Sequence, residues 1–476
     1  MTTDATAASG GPPGEDAPTE EPAPRREKIE FKMRSLPALD GMRGIGALVV
    51  VLYHMTGHNK IWQMWGYGLV VLFMTMSGFL LTSLWLQRRY EVEHHPGRTF
   101  VRRRIFRVVP TNTIYTVGLG ALLLLVFFFP PADTTDDSGG ALDQGEQVEI
   151  VGGDGEGCRE TDASPVVAAA TNLVFVLNFF QADGMCGSVF SHLWTVNIEV
   201  QFYLLLPLFM MGLWRVAKRD PVKVGLIVTG VGSLLVWANR LRLDYSTDSA
   251  FQMAYFRTDM RFDSILIGIF TALALYRWGL PRRAGPWGLA AAVLFFAGGI
   301  GRSTMFQGGF FDWIGMDEID LDLELGFWLQ YQAFAVAVSG ACFVVWAASR
   351  PPGAKSHILE QRWALWLGAL SYSLYVIHLP FAGPSWLIAE NDSLTNWHRA
   401  VAVIVGTAAA IFASWLLHIF VEQPFMRRGA HKDWDVPIVS AWREKRERSK
   451  DRTGGASEDD PAGRAAAETA PDRTGP

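Results

Sequence analysis

Eleven apolar stretches separated by charged loops constrain this chain more than any other feature. They run roughly over residues 37–58, 64–86, 108–129, 165–181, 194–214, 222–240, 262–278, 286–301, 326–348, 363–383 and 397–421. Most approach the ~20 residues that a helix needs to cross the apolar core of a bilayer. Half of the chain is hydrophobic and only 19% is charged, against roughly a quarter in soluble domains. Much of the charge sits in the two ends. A nucleic-acid binder, a fibrous protein and a disulfide-stapled module (there are three Cys) are excluded on this composition. The reading is an all-α integral membrane protein.

Residues 1–24 are Ala, Gly, Pro, Thr and acids with no apolar run, and residues 443–476 are similarly polar. Neither can bury enough apolar surface to offset its ordering entropy. The expected organisation is a disordered cytoplasmic tail over 1–35, a transmembrane domain over 36–428, and a polar cytoplasmic tail over 429–476.

Basic residues set the orientation. Arg25, Arg26, Lys28, Lys32 and Arg34 precede the first stretch, and Arg88, Arg89, Arg98, Arg102, Arg103, Arg104 and Arg107 follow the second. Both clusters belong in the cytoplasm, which places the loop 131–164, with Arg159 its only basic residue, outside. If 165–181 crossed, the later clusters around Arg215, Lys218, Arg219, Arg282 and Arg283 would face out. If it does not cross, every loop obeys the rule. Ten spans follow, with both termini cytoplasmic and 165–181 a re-entrant or interfacial segment beside protein or water. Cys158 and Cys186 flank that segment on the outer face, either as a disulfide or as two unrelated thiols. Cys342 reads as a small buried apolar residue.

Ionisable residues inside spans are costly and point to function. Arg43 and His54 are eleven residues apart. On a helix that is three turns plus about 20°, so both project from one face, roughly 16 Å apart along the axis. Arg43 lies toward the cytoplasm and His54 toward the outer half, which fits a long ligand lying along the helix. The plainer alternatives are a snorkelling arginine and a packing histidine. Glu199 enters near the depth of His54 and could orient an imidazole, or pair structurally with Arg261. Asp259, Arg261 and Asp263 form a cluster of opposite charges at the outer start of the sixth span. Ser77 and Gly78 lie near the middle of the second span, where small residues either let helices approach or leave room for a thin ligand arm. Arg102, Arg103, Arg104 and Arg107 suit a phosphorylated ligand, or serve topology and lipid contact. His378 is again in the outer half, and Glu422 closes the last span on the inner side. The sequence has no metal-ligand spacing, P-loop or Gly-x-Ser-x-Gly motif.

These residues resemble the acyltransferase-3 family of integral membrane O-acyltransferases. Leu39-Asp40-Gly41-Met42-Arg43…His54 resembles its signature of Arg, ten residues, then His. Leu72-Phe73…Ser77-Gly78-Phe79-Leu80, Arg103…Arg107…Pro110 and Leu193-Trp194-Thr195…Glu199…Gln201-Phe202-Tyr203…Pro207 follow in the family's order. So do Ser371-Tyr372-Ser373-Leu374-Tyr375…His378…Pro380 and Val421-Glu422-Gln423-Pro424-Phe425. The chain departs from the family at Val71, where an Asp is usual, and at Val200, where a second Glu is frequent. The C-terminal esterase-like domain of many members is not expected here.

The resemblance implies acyl transfer from a cytoplasmic acyl-CoA, often acetyl-CoA, to a hydroxyl on an envelope glycan, a glycolipid or a secondary metabolite. It implies that Arg43, Arg104 and Arg107 hold the CoA phosphates and that the pantetheine arm passes Ser77 and Gly78. His54 would be the general base, with an imidazole's ordinary pKa of about 6.5 suited to the role. Glu199 would orient it, while Asp259, Arg261, Tyr372 and His378 would shape the acceptor or oxyanion site. No metal and no nucleic acid enter this scheme, and the location is the plasma membrane. The rival classes are a transporter of a polar or anionic solute, for which no inverted repeat of broken segments is visible, and a non-catalytic membrane partner docking through its tails.

Overall fold

The computed structural model describes residues 36–56, 60–87, 96–128, 165–185, 189–244, 248–300, 331–351, 358–383 and 396–430. The expected N-terminal tail, the C-terminal tail beyond Ala430 and the Cys158–Cys186 question lie outside these residues, while Gly429 and Ala430, expected in the tail, end the last helix because it continues past the apolar run. Every regular element among the described residues is helical. In chain order they are α1 (Pro37–Met55), α2 (Lys60–Leu86), α3 (Pro96–Phe128), α4 (Pro165–Leu173), α5 (Leu177–Ala182), α6 (Trp194–Val216), α7 (Pro221–Arg240), α8 (Asp248–Phe256), α9 (Thr258–Trp278) and α10 (Gly285–Ile300). They continue as α11 (Ala333–Ser349), α12 (Arg362–Ile377), α13 (Asn396–Leu417) and α14 (Gln423–Ala430). A π-helical turn, His418–Glu422, joins the last two.

Each of the ten stretches expected to cross holds a helix. Six segments among the described residues are long and apolar enough to span: Pro37–Met55, Gly66–Leu86, Gly97–Leu125, Ser191–Val216, Pro221–Arg240 and Trp397–Gly429. Gly285–Gly298 and Ala333–Ser349 are shorter apolar helices. The other two expected spans, α9 and α12, fall outside that set for physical reasons. α9 carries Asp259, Arg261, Asp263 and Arg277, and it packs against α2, α7 and α11 so that most of its residues face protein. α12 has 16 residues, about 24 Å of helix.

The polarity of the bundle is inverted relative to a soluble protein. Val117, Leu122, Leu125, Leu208, Leu235, Leu289, Val293, Ile404, Val405 and Phe412 are exposed, while Arg240, Arg261, Asp263, Asn197 and Glu422 are buried. An apolar outer surface of this extent suits lipid. α3 has 33 residues because nothing between Pro96 and Phe128 stops it except Pro110. That residue bends a helix rather than ending it when its neighbours supply partners. The basic run and the third apolar stretch are therefore one helix.

The 165–181 segment breaks in two. α4 has nine residues and α5 six, too short to cross. The break falls at Phe175, whose φ of 59° is a left-handed conformation that costs a non-glycine residue about 1–3 kcal/mol. Buried amides hold it. Gln201 Nε2 donates to the Phe175 carbonyl at 2.7 Å, and the Leu177 N–H donates to Asn197 Oδ1 at 3.0 Å. Asn197 Nδ2 donates to Asn172 Oδ1 at 2.8 Å, and Asn172 Nδ2 donates to Thr116 Oγ1 at 2.8 Å. Helix α6 thus satisfies backbone that could not lie against lipid, and α3 holds Asn172 in place.

Two helix pairs meet at backbone contact. A Cβ on Gly44 would lie 2.4 Å from the Gly368 nitrogen, and one on Gly368 would lie 2.2 Å from the Asp40 carbonyl oxygen. These fix α1 against α12. The same reciprocal pattern fixes α2 against α9, where a Cβ on Gly78 would lie 2.3 Å from Ile265 O and one on Gly268 would lie 2.1 Å from Thr75 O. Small residues at such crossings are how membrane helices gain close packing without a hydrophobic driving force. Gly268→Ala is expected to lower the thermal unfolding midpoint in detergent, by an overpacking cost of about 1–3 kcal/mol. Gly118→Ala, where a Cβ meets nothing within 4 Å, should leave the midpoint unchanged or raise it through helix propensity. A rise in both variants would show that the α2–α9 crossing is not at backbone contact.

Candidate functional site

Two adjoining chambers lie in the bundle, labelled inner and outer after the orientation expected from the basic residues. The inner one, about 350 Å³ counting its mouth, is lined by Arg104, Arg107 and Val108 of α3, Tyr203 of α6 and Leu80 and Leu81 of α2. The outer one, about 730 Å³ counting its mouth, is lined mainly by apolar groups, among them Val70, Phe73, Met74, Ile198, Phe202 and Ile265. Both are lined by Arg43, Ser77, Glu199 and Tyr372, so these four form the passage between them. Ser77 Oγ donates to Glu199 Oε1 at 3.2 Å, and the Tyr372 hydroxyl donates to the Val108 carbonyl at 2.7 Å.

The expectations sort themselves on this frame. Arg43, Arg104 and Arg107 share the inner chamber, and Arg104 also sits 6.0 Å over the Phe100 ring. The Ser77-Gly78 pair divides its work. Ser77 lines the passage, while Gly78 faces Ile265 of α9 in the packing seam. Tyr372 lines both chambers. Glu199 does too, hydrogen-bonded to Ser77 and Tyr203. The outer charge cluster is distributed among separate partners. Asp259 pairs with Arg257 at 2.9 Å near the surface. Asp263 pairs with Arg240 of α7 at 2.5 Å, both side chains fully buried, and Arg240 also donates to the Met260 carbonyl at 2.9 Å. Arg261, also fully buried, lies over the rings of Trp194 at 5.7 Å and Tyr255 at 5.1 Å. A stacked guanidinium of this kind is a cation–π contact.

The outer chamber ends at Thr195 and Tyr375. Thr195 Oγ1 donates to the Tyr375 hydroxyl at 2.7 Å, and that hydroxyl donates to the His192 carbonyl. Beyond this pair stand three histidines. His54 and His378 have ring centroids 4.9 Å apart, and His192 and His378 are 5.0 Å apart. His378 Nε2 lies 3.1 Å from His54 Nδ1. Tyr375 reaches this group from the chamber, its ring centroid 5.9 Å from that of His378. Helix α1 contributes Arg43 and Ala47 to the chamber walls, and His54 lies two turns further out.

α1 and α12 run parallel, since Gly41 meets Leu359, Gly44 meets Gly368, and Val51 and Met55 pack with Leu374 and Leu379. His54 follows Gly44 by ten residues and His378 follows Gly368 by ten. Equal intervals on parallel helices bring both imidazoles to one height. That match is a sequence signal for the pair, and it is what sequence reasoning missed. Arg240 was missed as well. Its signal is an arginine at the outer end of a span, against the positive-inside trend, which implies a buried partner.

At the inner end, Glu422 is buried, accepting from Ser373 Oγ at 2.7 Å and lying 2.8 Å from His418 Nδ1. It ties the π-turn to α12, one residue from Tyr372. Among the described residues no group of three or more His, Cys, Asp or Glu is placed to hold a metal ion.

Removing one member of the Arg240–Asp263 pair would leave a buried charge without its partner, a loss of about 3–5 kcal/mol. Arg240→Met and Asp263→Leu should each reduce the yield and melting temperature of folded protein, and the double variant should recover much of both. Equal losses in the double and the worse single variant would show that the pair is not coupled.

Comparison with known proteins gives a consistent picture. The acyltransferase-3 family, described as an acyltransferase domain, matches residues 36–419. OatA of Staphylococcus aureus (strain NCTC 8325 / PS 47), an O-acetyltransferase, is 23% identical over 411 residues, covering 85% of this chain and 59% of OatA. YrhL of Bacillus subtilis (strain 168), provisionally named a peptidoglycan O-acetyltransferase, is 26% identical over 412 residues, covering 83% of this chain and 56% of YrhL. A provisionally named O-acetyltransferase of S. aureus (strain COL) is 24% identical over 403 residues, covering 84% of this chain and 58% of that protein. The chain thus spans under three fifths of the length of these relatives. No solved structure matches it. With the family matched from the first helix to the π-turn, the chain belongs to the acyltransferase-3 family.

Proposed function

We propose that this protein is a plasma-membrane O-acyltransferase, moving an acyl group, in the first instance acetyl, from cytoplasmic acyl-CoA to a hydroxyl of a sugar-containing acceptor. The acceptor class is an envelope glycan, a glycolipid or a secondary metabolite. In this reading ten helices cross the bilayer, both termini are cytoplasmic, and 165–181 stays on the outer side.

The observation that carries the reading is the order of groups along one path. Three guanidinium groups line the inner chamber, a narrow passage of Arg43, Ser77, Glu199 and Tyr372 follows, and the apolar chamber beyond ends one side chain short of the histidines. Arg104, Arg107 and Arg43 suit the phosphates of CoA, and the passage suits its thin pantetheine arm. Acyl-CoA is the donor substrate here and needs no metal to react. Glu199, bonded to Ser77 beside Arg43, holds the passage polar. Thr195 and Tyr375 stand where the thioester would pass to reach His54.

In the transfer step His54 Nε2 takes the proton of the acceptor hydroxyl as its oxygen attacks the thioester carbon. A C–O bond forms, the C–S bond breaks, and the proton passes from His54 to the departing thiolate. General-base help of this kind contributes about 10²–10⁴ in rate. In this reading Asp259 and Arg261, the latter stacked on Trp194 and Tyr255, belong to the side from which the acceptor approaches.

The test is comparative mass spectrometry of envelope glycans, lipids and secreted metabolites from a deletion strain, its complement and a His54→Ala strain. One species should lose an acyl mass in the deletion and the His54→Ala strain alike. Full modification in the His54→Ala strain, with the variant expressed, would sink the assignment of the base. With purified protein, Arg104→Gln and Arg107→Gln should raise KM for acyl-CoA severalfold while changing kcat little. An unchanged KM would remove the inner chamber as the donor phosphate site.

A further inference from the structure

We infer that His378 is the positioning residue of the transfer site, holding the His54 ring by its protonated Nδ1 so that the lone pair on Nε2 is left for the acceptor. The inference rests on the acyltransferase reading above, and it gives His378 a task different from shaping the acceptor pocket.

Three contacts determine the tautomers. A carbonyl oxygen only accepts, so a ring nitrogen in hydrogen-bond contact with one must carry the proton. His54 Nδ1 lies 2.9 Å from the Val50 carbonyl, and His378 Nδ1 lies 2.8 Å from the Tyr375 carbonyl. Both Nδ1 atoms are therefore protonated, and a neutral imidazole has one proton. His378 Nε2 then holds a lone pair, and at 3.1 Å it accepts the His54 Nδ1–H in a bond shared with the Val50 carbonyl. The chain of donors runs one way, from His54 to His378 to the end of α12. The basic nitrogen of His54 is left as Nε2.

The fold makes this arrangement from a helix end. Pro380 lies four residues after Val376 and has no N–H, so α12 stops at Ile377 and the carbonyls of its last turn lack helical partners. His378 takes the Tyr375 carbonyl. His192 takes the Val376 carbonyl through Nε2 at 2.9 Å, and its ring sits 5.0 Å from His378 at 75°. His378 is fully buried, so its ring has little freedom to turn. A catalytic triad uses a carboxylate for this task. At this depth a second imidazole orients the base without the desolvation cost of a buried anion. Once His54 has taken a proton, its Nδ1–H bond to His378 becomes charge-assisted and stronger.

The test uses full-length protein in nanodiscs with ¹⁵N-labelled histidine, assigned by difference against His54→Ala. The wild type should show neutral His54 protonated at Nδ1 and bare at Nε2. A His54 protonated at Nε2 overturns the inference whatever the protein transfers. The kinetic arm compares His378→Gln, which keeps an acceptor oxygen, with His378→Phe, which keeps a ring but no acceptor. His378→Phe should lose roughly 10²-fold or more in kcat with KM for acyl-CoA and acceptor little changed, the scale of lost acid–base help, and His378→Gln should recover a large part of it. A rise in acceptor KM with kcat intact overturns the positioning role in favour of acceptor binding. If His378→Phe does not fold, His378→Leu takes its place, and a kcat within a few fold of wild type in that variant overturns the positioning role. Absence of acyl transfer by wild-type protein with a correct Nδ1–H tautomer would instead count against the acyltransferase reading and leave the histidine geometry standing.

Discussion

Backbone contact between helices is the constraint on which the rest depends. Gly44 and Gly368 bring α1 and α12 so close that no side chain separates them, and Gly78 and Gly268 do the same for α2 and α9. The first pair places His54 against His378. The second brings Ile265 of α9 beside Ser77, completing the wall of the outer chamber. Lipid offers an apolar helix as good an environment as another helix does, so association must come from close van der Waals contact and hydrogen bonds. The glycines supply the first and the buried amides the second.

Polar groups inside the bundle are tolerated because they find partners there. Arg240 and Asp263 neutralise each other between α7 and α9. Asn197 and Gln201 take up backbone polar groups freed where α4 gives way to α5, and Asn172 accepts from Asn197 behind them. That network explains how Phe175 keeps a left-handed conformation inside a membrane protein. Its carbonyl is turned toward Gln201, and the surrounding bonds outweigh the local strain. The broken segment is thereby as firmly placed as a helix.

Much of the fold was legible because hydropathy and basic residues are one-dimensional signals. Helices stand where apolar runs predict them, the 165–181 run fails to form one long helix, and Arg43, Arg104 and Arg107 gather at one end. Partnerships across the bundle were not legible. Asp263 lies two residues from Arg261 in sequence yet pairs with Arg240, 23 residues away. Glu199, expected level with His54, lines the passage with Arg43 and accepts from Ser77 instead, because where a span enters the bilayer is read from sequence only to within several residues. Ser77 and Gly78 are neighbours whose side chains leave the helix about 100° apart, which is why one lines the passage and the other packs the seam. The seam between basic run and apolar run in α3 was also invisible, since helix continuity ignores polarity.

The two ten-residue intervals, Gly44 to His54 and Gly368 to His378, have a consequence for how such a chain can change over time. One residue inserted into either interval would rotate its imidazole by about 100° and lift it about 1.5 Å, leaving the partner facing a different side chain. Loops and tails can lengthen without penalty, and the apolar outer faces can trade one aliphatic residue for another. Matching insertions in both intervals would turn both rings away from the seam, so indels there should be purged in any lineage that keeps the histidine pair, however far the rest of its sequence diverges.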